Sequence, residues 1–180
     1  MQRTTPPFRA DHVGSLLRPP ALKEARAKRE RNEITAEALR AVEDREIEKA
    51  IKKQEEIGLK LATDGEFRRS WWHFDFFRGL DGYFLEYDTD RSGGFEPLRY
   101  FPKGNKQVVL GLVTSKFGTL EKKDDIKRRI DEATKYVALD QLCLSPQCGF
   151  ASTEEGNVLS EDEQWAKLAM IVELADEVWG

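Results

Sequence analysis

Residues 108–146 read VVLGLVTSKFGTLEKKDDIKRRIDEATKYVALDQLCLSP. The run at 108–113 is apolar on both faces, and so is the run at 141–145, which stops at Pro146. Between them Ile126, Ile130, Ala133 and Val137 recur at helical spacing and predict a helix over 121–137. A strand with two apolar faces cannot leave either face to water, so it asks for cover on both sides. Strand–helix–strand with such strands is the pattern of a parallel sheet under helices.

The same rhythm extends outward. Ser160 with Glu163 three residues on is a capping box opening a helix over 161–179, whose stripe is Trp165, Leu168, Ile171, Val172, Ala175 and Val178. Upstream, Thr35 as N-cap and Gly58 as the residue past the end bracket a helix over 35–57. Residues 20–31 are helix-prone, and Asp11 to Ser15 read as a strand end running into a loop. A strand over 59–63 runs into Asp64-Gly65-Glu66, and another is expected at 83–87, YFLEY. The sum is about five parallel strands and four helices in one α/β domain over 1–180. The middle breaks the rhythm: neither 64–82 nor 88–107 offers a crossover helix, and connections this long without one are uncommon.

Length limits the architecture. A complete eight-stranded α/β barrel takes ~250 residues, and this chain has 180. Hydrophobic residues at 39%, charged residues at 34% and a mean hydropathy of −0.62 indicate a soluble globular chain. No apolar run is long enough for a membrane span and the first residues carry no apolar signal core, so a cytoplasmic protein without a membrane partner is expected. The net charge of −4 removes the electrostatic argument for nucleic acid. The two cysteines, Cys143 and Cys148, are expected as thiols.

In α/β architectures chemistry collects at the carboxyl ends of strands. Here those ends carry His12 to Ser15, Asp64 to Glu66, Glu86 to Asp88, Thr114 to Lys116 and Ser145 to Gly149. Each residue also has a plainer reading. Cys148 is a ligand or a small buried hydrophobe, and Cys143 belongs to the core. Ser15 binds something or caps the helix near 20. Glu66 is a ligand or a partner of Arg68 and Arg69. Glu86 is a ligand or ion-pair member, or a strand-end surface residue. His12 and His73 are structural or metal-binding. Arg18, Lys116 and Trp71-Trp72 are candidates to line a cleft.

Taken together, DHVGSLLRP (11–19), EEIGLKLATDGEFRRSWW (55–72), YFLEYD (83–88), VVLGLVTSK (108–116), LCLSPQCGFAS (142–152) and QWAKLAMIVELADEVWG (164–180) resemble the cobalamin-independent methionine synthase family. The resemblance is to its short bacterial single-barrel members and covers nearly the whole chain. It implies a (β/α) barrel, present here in part. It implies methyl transfer from 5-methyltetrahydrofolate to the thiolate of homocysteine, activated by zinc and without cobalamin. By the family pattern Ser15 and Glu66 hold the amino-acid part of homocysteine, and Glu86 and Cys148 are two of the zinc ligands.

The departures are as specific as the matches. The family takes its other two zinc ligands from a His-x-Cys-type motif upstream of YFLEY, and residues 53–82 contain none. GLDG at 79–82 runs directly into YFLEYD, as though the middle of a barrel had been removed near 79–83. An incomplete zinc site and little synthase activity are therefore expected, with no residue assigned a catalytic role. The competing reading is a non-catalytic partial barrel that self-associates, as a homodimer, through exposed sheet edges.

Overall fold

The computed structural model describes residues 4–5, 8–12, 14–69, 94–151 and 158–180. Helix α1 (Pro20–Glu30) and helix α2 (Ala36–Glu56) come first, followed by strand β1 (Val108–Val113), helix α3 (Lys123–Thr134), strand β2 (Leu142–Pro146) and helix α4 (Glu161–Trp179). Two 3₁₀ turns, Glu96–Tyr100 and Leu139–Gln141, precede the strands.

The helices start where their caps dictate. Thr35 accepts from the Ala38 amide, and Gly58 just past α2 takes φ +92°. Ser160 and Glu163 close a reciprocal capping box at the head of α4. Helix α3 is shorter than the 121–137 read from its stripe. Lys122 is extended, Glu121 is diverted to the loop after β1, and Tyr136 closes a turn onto Ala133.

β1 and β2 pair in parallel from Val108–Leu142 through Gly111–Ser145, then shift register at Val113–Pro146. Every residue of β2 is buried, as its two apolar faces require. On its other side the N-terminal segment adds a parallel bridge, Ala10 to Leu144. There the Asp11 amide donates to Leu144 (3.0 Å) and the Leu144 amide to Arg9 (2.9 Å). Residues 9–11 thus lie against β2. α4 packs on β2, α3 on β1, and α1 on α2. One continuous apolar core runs between these layers, with Leu16, Leu22, Phe67, Ile130, Leu144, Phe150, Leu168 and Ile171 in it.

One expectation needs correction. Among the described residues there are two strands and one bridge. The expected strand at 83–87 and the junction near 79–83 lie outside the described residues. Residues 59–63 do not form a strand. The Gln54 side chain donates to the Thr63 carbonyl (2.8 Å) and accepts from its amide (3.0 Å), so the groups a ladder would need are already taken.

Candidate functional site

The loops at the carboxyl ends of the strands meet at residues 14–18. The Ser15 hydroxyl donates to the Ala151 carbonyl (2.6 Å) and accepts from the Ala151 amide (3.2 Å), while the Phe150 amide donates to the Ser15 carbonyl (2.6 Å). This contact needs two glycines. A Cβ on Gly14 would sit 2.7 Å from the Gly149 nitrogen, and one on Gly149 would sit 2.2 Å from the Ser15 nitrogen. The Leu16 amide donates to the Gly65 carbonyl (3.1 Å), and the Leu17 amide to the Gln164 side chain of α4 (2.7 Å). The three loops that carry Ser15, Glu66 and Cys148 are therefore joined backbone to backbone.

Glu66 holds a left-handed conformation, φ +56°. A non-glycine residue pays roughly 1 kcal/mol or more for that, so the surroundings must impose it. The Asp64 carboxylate accepts from the Glu66 amide (2.8 Å), and Arg18 donates to the Glu66 carbonyl (3.2 Å). The Glu66 carboxylate, partly exposed, pairs with Arg69. Arg68 turns away to Glu43 and Asp44 on α2.

Arg18 does not line a cleft; it is 2% exposed. One of its terminal nitrogens reaches the carbonyls of Ala151 (3.1 Å) and Leu16 (3.4 Å), the other those of Glu66 (3.2 Å) and Arg69 (3.1 Å). Arg26 on α1 supports the far end of the same turn through the Phe67 (2.6 Å) and Arg69 (3.1 Å) carbonyls. Ser15 does not cap α1, whose N-cap is Pro19 without a side-chain bond. The hydroxyl's one proton is spent on Ala151, leaving a lone pair that suits an ammonium rather than a carboxylate.

Cys148 is exposed at the rim of this contact, not a buried hydrophobe, whereas Cys143 is buried within β2. The two do not form a disulfide. His12 is 1% exposed, and neither ring nitrogen has a hydrogen bond of ordinary geometry. It stacks at a tilt on Phe150 with centroids 5.9 Å apart, and burial pushes its pKa down to about 4. Its neighbour Asp11 is pushed up, also by burial. Lys116 lies in the loop after β1, its amide donating to the Thr114 hydroxyl (3.3 Å). Glu86, His73 and the Trp71-Trp72 pair lie outside the described residues.

Among the described residues no three His, Cys, Asp or Glu side chains converge on a point that could hold a metal ion. A protein zinc site takes three or four such ligands, so Cys148 with its described neighbours does not fit one. No described helix is long and apolar enough to cross a membrane. A cavity of about 190 Å³ lies at the opposite, amino end of the strands, between Phe8, Arg9, Gly58, Lys60, Asp176 and Trp179. Arg9 stacks there over Trp179 and donates to Leu142, so this end serves the packing of the N-terminal segment.

Comparison with known proteins now has a geometry to explain. The family described as cobalamin-independent synthase, catalytic domain, matches residues 8–92. Bacillus subtilis (strain 168) YxjG, an uncharacterized protein, is 33% identical over an aligned span of 365 residues, covering 99% of this chain and 97% of that one. The chain belongs to the cobalamin-independent methionine synthase family. A 5-methyltetrahydropteroyltriglutamate–homocysteine methyltransferase of Thermosynechococcus vestitus is 35% identical over 100 residues, 55% of this chain and 13% of that protein. A Listeria monocytogenes crystal structure, described as a candidate vitamin-B12 independent methionine synthase, superposes with a TM-score of 0.73 at 26% identity. It covers 99% of this chain and 100% of that one. Because the span aligned with YxjG is 365 residues and this chain has 180, a long stretch of YxjG faces no residue here.

Sequence reasoning missed one member of the site and misjudged another. Gln164 sits in the first turn of α4 and carries no motif, yet its side chain is buried and holds the Leu17 amide. Arg18 was read as lining a cleft, since an arginine between Leu17 and Pro19 gives no sign that carbonyls from three loops await it.

Proposed function

We propose that this chain keeps the amino-acid half of a homocysteine methyltransferase site and lacks the metal half. The observation that carries this reading is the junction of the Ser15, Glu66 and Cys148 loops, with Glu66 held in a costly backbone conformation beside it. In this reading the Glu66 carboxylate accepts from the substrate ammonium, and the lone pair left on Ser15 accepts beside it. The thiol end of the amino acid points toward Cys148.

The 365-residue alignment span supports an internal loss of chain, which we place near residues 79–83. That loss would remove the His-x-Cys-type ligands, leaving Glu86 and Cys148 as the zinc donors. Two donors make a weak, open site. In complete family members zinc supplies the activation of the thiol; here no step is assigned to it. Methyl transfer from 5-methyltetrahydrofolate to homocysteine is accordingly the ancestral reaction, and this chain carries it out slowly or not at all.

The test uses the purified, dialysed chain. Far less than one zinc per chain, no methyl transfer, and L-homocysteine binding weakened by Glu66→Gln are expected. Zinc near one per chain, with methyl transfer abolished by Cys148→Ser, would overturn the reading. Among the described residues β1 has a ladder partner on one edge only, which favours self-association as the second reading. Gel filtration separates the two, since a stable dimer that ignores homocysteine fits only the second.

A further inference from the structure

We propose that Arg18 is the positioning residue of the amino-acid site, tying the Glu66 turn to the Ser15 loop and to the segment after Cys148. This rests on the amino-acid reading given above.

The geometry makes one side chain answerable for three loops. The Nη2 atom of Arg18 donates to the Glu66 and Arg69 carbonyls at 3.2 and 3.1 Å. Its Nη1 atom donates to Ala151 at 3.1 Å and Leu16 at 3.4 Å. Ala151 is also the residue whose amide and carbonyl both bond the Ser15 hydroxyl. Pulling on the Ala151 carbonyl therefore moves Ser15, and pulling on the Glu66 carbonyl sets the direction of a carboxylate whose backbone is already left-handed.

A guanidinium suits this task for a reason of shape. Its two terminal nitrogens are fixed in one plane and can serve two loops at once, whereas a lysine has a single nitrogen on a flexible stem. Arg18 is also buried, so its bonds are not shared with bulk water. Lys123 on α3 provides the control, a cation whose partners, Glu173 and Glu177, lie in the last turns of α4.

The experiment compares the unsubstituted chain with Arg18→Lys and Lys123→Met. L-homocysteine binding is read by calorimetry, and amide hydrogen exchange is read at Leu16 and Phe150, whose N–H groups close the loop contacts. In Arg18→Lys the affinity is expected to fall tenfold or more and both amides to exchange at least tenfold faster. Lys123→Met should change each by threefold or less. Affinity and exchange both unchanged in Arg18→Lys, or equal losses in Lys123→Met, would overturn the proposal. Should Arg18→Lys fail to fold, Arg18→Gln is read by the same two measurements. If the unsubstituted chain does not bind L-homocysteine, the amino-acid reading fails, and exchange at the two amides alone decides whether Arg18 couples the loops.

Discussion

The Ser15 hydroxyl and the Ala151 peptide form a closed pair, Oγ donating to the carbonyl at 2.6 Å and accepting from the amide at 3.2 Å across 136 positions of sequence. Ser15→Ala leaves the Ala151 carbonyl with Arg18 but strips its buried amide of a partner. An unsatisfied buried group of this kind costs about 2 kcal/mol. Urea denaturation should show a lower midpoint with an unchanged slope; an unaltered midpoint would mean that water fills the gap at no cost.

Gly149→Ala tests the close approach itself. The new methyl would meet the Ser15 nitrogen at 2.2 Å, and backbone cannot swing aside as a long side chain can. About 3 kcal/mol of destabilisation is expected from the overpacking. Cys148, next in sequence, should also change its rate of alkylation by iodoacetamide, because the loop has to move. A variant as stable as the parent would show that the two loops do not touch in solution.

His12 makes stability depend on acid. Its pKa falls from 6.5 to about 4 on folding because burial disfavours the imidazolium. Between those values the unfolded chain takes a proton that the folded chain refuses. Stability is full above pH 6.5 and declines as pH falls, by about 3 kcal/mol near pH 4. Asp11 opposes this, since its raised carboxyl pKa favours the folded form as pH falls. His12→Leu removes the imidazole term alone. The variant should match or exceed the parent at pH 7.5 and lose less stability by pH 5 in thermal melts. Parallel losses in the two proteins would refute the assignment.

Lys167 is fully buried in α4 and donates to the Thr119 carbonyl (2.7 Å) and to Glu121 (2.8 Å), whose other oxygen accepts from the Thr114 amide (2.8 Å). Lys167→Met keeps the aliphatic stem and leaves that carboxylate without its cation. Because Glu121 is partly exposed, the cost is set below the usual range for a broken buried pair, at about 2 kcal/mol. Lys123→Met, which removes solvent-screened surface pairs to Glu173 and Glu177, should leave the melting temperature nearly unchanged. Calorimetric melting of the two variants side by side gives the comparison.

What could be read from sequence was what local chemistry decides. The caps at Thr35 and Ser160 and the strand at 108–113 need only neighbours a few residues away, and all three stand in the structure. The strand at 59–63 failed because Gln54, on the preceding helix, takes both backbone groups of Thr63. Ser15 was a plausible cap, but its true partner lies at the other end of the chain. The burial of Arg18 was illegible for the same reason. A charged side chain reads as exposed until the carbonyls that solvate it are known, and those come from residues 16, 66, 69 and 151. Convergence of the Ser15, Glu66 and Cys148 loops was signalled by their places at expected strand ends and by the family resemblance.

The bridge between Ala10 and Leu144 has a consequence for the order of events during synthesis. Its two halves leave the ribosome far apart in time, so the seam closes only after Leu144 has emerged. By then the intervening chain is simply a tether. Halving a tether lowers its closure entropy by only ~0.6 kcal/mol. The seam is therefore nearly indifferent to how much chain lies between its ends. The same two edges would meet at nearly the same entropic cost across a longer or a shorter middle.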